Sequence, residues 1–149
     1  STLFALAVSP AFAASASASV APAKAMPDPR PPAPVLRGAQ CLEPGMARGF
    51  VSLDERSVLV DAGRNRYRIE VSAACWNLGL ANVVGFRGDP VMNRVCGGSL
   101  DAMLVRGSPP CRIERMELID KETYKLLLRA HEAERAARKA EHKAKSGTP

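Results

Sequence analysis

The residues best equipped for chemistry in this 149-residue chain are four cysteines, Cys41, Cys75, Cys96 and Cys111, spaced 34, 21 and 15 positions apart. None forms a C-x-x-C pair, and the intervals match no zinc or iron–sulfur pattern. The two histidines, His131 and His142, both lie near the C-terminus, away from the cysteines. A mixed Cys/His metal site is thereby disfavoured, and no metal or cofactor is expected. An even number of cysteines without metal spacing reads as two disulfides in an oxidising compartment. Four cysteines admit three connectivities. The expected pairing is Cys75–Cys96 in the middle of the domain and Cys41–Cys111 joining its ends.

Acid–base and nucleophilic catalysis generally need a histidine, a reactive thiolate or a close pair of carboxylates. Between residues 38 and 119 there is no histidine, and the carboxylates Asp54, Glu55, Asp61, Glu70, Asp89 and Asp101 fall in turns or on polar strand faces. Asp101, just after Gly97-Gly98-Ser99-Leu100, opens an apolar run; a turn or strand-entry hydrogen bond accounts for it more simply than catalysis. Arg64, Arg66 and Arg68 recur at every second position, which on a strand puts three guanidinium groups on one face. Such a face can take phosphate or another anion through bidentate contacts, although Tyr67 points the other way and Glu70 offsets part of the charge. Trp76, the single tryptophan, follows Cys75 and reads as a core or rim residue packed on a disulfide.

These residues need elements to hold them. Residues 57–71 read as a hairpin: Val58-Leu59-Val60, a five-residue connection from Asp61 to Asn65, and then an alternating strand. In that strand Tyr67, Ile69 and Val71 face one way, with Arg66, Arg68 and Glu70 the other. Short runs at 50–53, 83–86 and 101–106 add strands, and 93–96 is expected to pair with 83–86. Residues 112–119 fit neither the strand nor the helix period. The fold class expected is mainly β, a small antiparallel barrel or sandwich of five to six short strands, followed by a charged C-terminal helix. That helix starts at an Asp120 cap, with Tyr124, Leu127, Leu128 and His131 as its docking stripe.

The ends of the chain differ in composition from its middle. Residues 1–13 read as the end of a signal peptide, with an apolar run from Leu3 to Val8 and the small-x-small Ala11-Phe12-Ala13. Residues 14–37 form an Ala/Ser/Pro linker, residues 38–119 the disulfide-stapled β domain, and residues 120–149 the charged helix and a frayed tail. Net charge is +2 over 1–37, +1 over 38–119 and +3 over 120–149. The basic balance is thus mostly a property of the ends, and a near-neutral domain makes nucleic acid an unlikely partner. No apolar stretch approaches the roughly 20 residues needed to span a membrane.

The order of features between 41 and 119 resembles a family of small, uncharacterised, exported proteobacterial proteins with four cysteines, a domain of unknown function. The pieces that carry the resemblance are Cys41-Leu42, Gly49-Phe50, the run from Asp54 to Val60, Arg66-Tyr67-Arg68-Ile69 and Cys75-Trp76-Asn77-Leu78. Val84-Gly85-Phe86-Arg87, Arg94-Val95-Cys96, Asp101-Ala102-Met103 and Cys111-Arg112-Ile113 complete it. The resemblance implies export and disulfides, and it brings no catalytic residue. The expected function is a non-enzymatic binding or structural module of the envelope, periplasmic or secreted, whose partner is an unknown protein or envelope component. The alternative is a polyanion or nucleic-acid binder using the Arg64, Arg66 and Arg68 face with the basic tail.

Overall fold

In the computed structural model, residue 31 and residues 33–146 are described. The expected signal peptide and most of the expected linker lie outside them. β-Branched and aromatic residues at alternating positions fold the middle of the chain into six strands: β1 (Gly49–Ser52), β2 (Ser57–Ala62), β3 (Asn65–Val71), β4 (Val84–Arg87), β5 (Ala102–Val105) and β6 (Cys111–Ile119). They form one antiparallel sheet in the order β1-β2-β3-β6-β5-β4. The sheet curls into a half-barrel and stays open, with β1 and β4 as its edges. A helix, α1 (Lys121–Ser146), follows β6. Mainly β, with a C-terminal helix, is therefore the architecture.

The alternation in β3 is as the residues demand: Tyr67, Ile69 and Val71 are buried, while Arg66, Arg68 and Glu70 lie between them on the other face. With Val58, Val60, Met103, Ile113 and Met116 they make the core on the inner side of the sheet. Leu59 is also fully buried, on the face of Arg68, its partner in register. The hairpin connection is tighter than the sequence suggests, because Asp61, Ala62 and Asn65 extend the two strands and leave only Gly63 and Arg64 as the turn. Gly63 has φ +75° and donates its N–H to Asp61 Oδ1 at 2.7 Å. A left-handed turn residue is what glycine supplies at no steric cost.

Residues 112–119 are strand, and the reason they show no clean period is a bulge. Glu70 pairs with Arg115 but Val71 pairs with Ile113, so two steps on β6 answer one on β3. Ile113 and Met116, three apart, therefore both reach the core. Residues 93–96 do not pair with β4. Instead Val95 forms an isolated antiparallel bridge with Leu42, each donating its N–H to the other's carbonyl, at 2.8 and 2.9 Å.

That bridge corrects the expected disulfides. The bonds are Cys41–Cys96 and Cys75–Cys111, spanning 55 and 36 positions. Cys41 and Cys96 flank the Leu42–Val95 pair, and their Cα atoms stand 4.5 Å apart, the separation of facing residues in a non-hydrogen-bonded antiparallel pair. Cys75 meets Cys111 because the chain leaving β3 stays beside the start of β6, where the Ser72 N–H donates to the Arg112 carbonyl at 3.0 Å. The two spans overlap rather than nest. Each removes about 4 kcal/mol of loop entropy from the unfolded chain, a large share of what a small core can supply.

The domain also begins earlier than residue 38. Leu36 packs against the core and its N–H donates to the Cys96 carbonyl at 2.8 Å. Arg115 donates to the Pro31 carbonyl at 2.7 Å.

Candidate functional site

Three places on this frame carry polar or exposed groups of functional interest. The first is the arginine face. Arg64 sits in the hairpin turn between β2 and β3 and is exposed. Arg66 has Asp61 at 4.0 Å and lies 5.8 Å from the ring centre of Tyr124 on α1. Arg68 pairs with Glu70 at 2.9 Å and stands opposite Glu117, which in turn holds Arg115 at 2.7 Å. Positive and negative groups thus alternate over this side of β3 and β6. Burial pushes the Tyr124 hydroxyl pKa up, and the Asp61 carboxylate adds to that rise.

Asp101 is the second place. It is buried, and its Oδ2 accepts the N–H groups of Cys96, Gly97 and Gly98, each at 2.8 Å. Its backbone carbonyl accepts the Ile113 N–H at 3.0 Å. Gly97 at φ +87° lets the chain curl around the oxygen. A carboxylate so occupied holds the loop after the Leu42–Val95 bridge against β6. Asp89 does the same for its own turn: Oδ1 accepts from Val91 and Met92 at 3.0 and 2.7 Å, and Oδ2 accepts from the Arg94 N–H at 3.1 Å. These backbone donors, Met92 and Arg94 foremost, hold the Asp89 carboxyl below its ordinary pKa. All four cysteines are disulfide-bonded. Among the described residues no group of three or more His, Cys, Asp or Glu is placed to hold a metal ion.

The third place was not legible in the sequence. Between β3 and β4 the chain forms a loop anchored by Cys75, whose side chain is bonded to Cys111 and whose N–H donates to the Glu55 carbonyl at 2.8 Å. Leu78 plugs the loop into the core, and Asn77 takes a left-handed conformation, φ 62°. A single 3-10 turn, Leu78–Leu80, completes it. Held in this way, Trp76, Leu80 and Val83 are 72%, 83% and 76% exposed. Trp76 is therefore not a core residue: only its neighbour Cys75 is buried, and the indole stands in solvent. Trp76, Asn77, Leu80 and Glu55 line a cleft of about 460 Å³. Large apolar groups fixed in water by a rigid backbone are the pattern of a binding surface. The Cys-Trp adjacency suggested packing, whereas the left-handed Asn77 turns the chain and leaves Trp76 outside.

No helix among the described residues is long and apolar enough to cross a membrane, and two disulfides fit an oxidising compartment. Comparison with known proteins adds a family: the chain belongs to DUF6491, a family of unknown function, whose profile matches residues 1–141. No curated protein and no solved structure matches it.

Proposed function

We propose that this member of DUF6491 is a non-enzymatic binding module of the periplasm or extracellular space, and that it binds through the loop between β3 and β4. The observation that carries the reading is the exposure of Trp76, Leu80 and Val83 on a loop fixed by the Cys75–Cys111 bond and the buried Leu78. Burying those three side chains against a partner removes apolar area worth about 1.5–3 kcal/mol per side chain. The loop is already ordered, so association does not have to fix its backbone as well as giving up translational and rotational freedom. The alternative, an anion taken on Arg64, Arg66 and Arg68, has less support, because Asp61, Glu70 and Glu117 lie among Arg66 and Arg68.

The test is site-specific photocrosslinking in cells that produce the full chain with its natural leader. A photoreactive residue at Leu80 is expected to give a discrete adduct that is lost when Trp76→Ala is added. The same residue at Glu117, on β6 opposite Arg68 in register, is expected to give none. Equal adducts from both positions, or none from Leu80, would overturn the reading.

A further inference from the structure

A second surface lies on α1 and is independent of the Trp76 loop. The helix has 26 residues, about 39 Å at the usual rise. Tyr124 is its one buried residue, Leu127, Leu128 and His131 are half-buried, and every residue from Glu132 to Ser146 is exposed. The last fifteen residues therefore stand off the domain, open on all sides. Between 135 and 145 they carry Arg135, Arg138, Lys139, Lys143 and Lys145 against a single acid, Glu141. Arg138 is paired with Glu134. Arg135, Lys139, Lys143 and Lys145 have no ion-pair partner among the described residues.

The placement of these cations is one-sided. At about 100° per residue the five of them, with His142, occupy an arc of roughly 160°. Arg138 and Lys145 lie along one margin of the arc, Lys139 and Lys143 along the other, and Arg135 and His142 between them. Glu132, nearest the domain, is the sole acid within the arc. The rest of the circumference is alanine (Ala133, Ala136, Ala137, Ala140 and Ala144), bordered by Glu134 and Glu141 beside Arg138 and Lys145. An interfacial membrane helix would carry Trp, Phe or Leu on that side, and beyond Leu128 there is none. A slim helix with cations along both margins has another natural partner. The major groove of a DNA duplex is about 12 Å wide, accepts one α-helix and is bordered on each side by a row of phosphates.

We propose that the free half of α1 is an arm that seats in the major groove of duplex DNA and contacts the phosphates of both strands without reading their sequence. The basic excess of the C-terminal segment, +3 over 120–149, is gathered on the eleven residues from Arg135 to Lys145, which the domain does not cover.

Fluorescence anisotropy of a labelled 20-base-pair duplex, titrated with the oxidised full chain at 150 mM salt, tests the proposal. Saturable binding is expected, with log K falling against log salt at a slope of about −4 for four to five phosphates. Replacing Arg135, Lys139, Lys143 and Lys145 together by Gln is expected to weaken it at least about tenfold, with helix content unchanged by circular dichroism. Arg64→Gln, a cation exposed elsewhere, is expected to leave the affinity within about twofold. The proposal is overturned by absence of duplex binding, by an equal loss in Arg64→Gln, or by binding to phosphatidylglycerol vesicles without binding to DNA. Equal affinity for the single strand of the same sequence overturns it too, since a single strand has no groove.

Discussion

Asp101 shows how far a single residue could be understood before its surroundings were known. Its position after two glycines at the mouth of an apolar run already favoured a turn-holding role, and the structure gives it three backbone donors at 2.8 Å. Asp101→Ala is therefore expected to strand three donors in a part-buried loop and to cost about 3 kcal/mol, read as a lower urea midpoint with unchanged slope. Trp76 is the opposite case: its contacts depend on the left-handed turn at Asn77, and nothing periodic announces such a turn. Acid stability is also decided at this scale. Backbone donors lower the folded pKa of Asp89, and the Thr123 N–H and hydroxyl lower that of Asp120. A carboxyl with a lowered folded pKa adds stability above its unfolded value, near 3.9, and loses it as pH falls through the folded value. Thermal midpoints are thus expected to fall below about pH 4, and Asp89→Asn and Asp120→Asn are expected to flatten that acid limb.

Elements divide sharply by whether their pairing leaves a local signal. β3 was legible because each of its inward residues is buried at a spacing of two. The strand β6 was not, because its register slips by one residue opposite Glu70 and Val71, so its apolar residues keep no single period. The Leu42–Val95 bridge was invisible for another reason: it joins two segments 53 positions apart, and the disulfide pairing follows from it. Non-reducing peptide mapping is expected to recover Cys41 linked to Cys96 and Cys75 linked to Cys111. Ser replacement of either pair is expected to cost about 4 kcal/mol on the loop-entropy account. A further prediction concerns the turn after β4. A Cβ on Gly88 would lie 1.9 Å from the Arg94 carbonyl oxygen, so Gly88→Ala is expected to destabilise by about 3 kcal/mol, measured by chemical denaturation.

At the scale of the whole molecule, the buried core cluster runs from Leu42 to Met116, where β-branched residues are concentrated. What composition does not record is which charges the fold neutralises. The arginines of β3 sit among carboxylates, whereas on the outer half of α1 only Arg138 has an ion-pair partner, Glu134, and Arg135, Lys139, Lys143 and Lys145 have none among the described residues. Salt is accordingly expected to act on the two surfaces differently. Adducts formed at Leu80 are expected to persist from 50 to 500 mM sodium chloride, and association through α1 to vanish over that range.

The overlap of the two disulfide spans has a consequence for how the protein is made. A ribosome delivers Cys75 after Cys41 and before either correct partner exists, so oxidation in order of appearance joins Cys41 to Cys75 and later Cys96 to Cys111. Both of those rings are foreign to the finished molecule. If oxidation follows that order, the native pairs form only by thiol–disulfide exchange, and oxidative refolding of the reduced chain is expected to give more correctly bonded protein with a disulfide isomerase than without one.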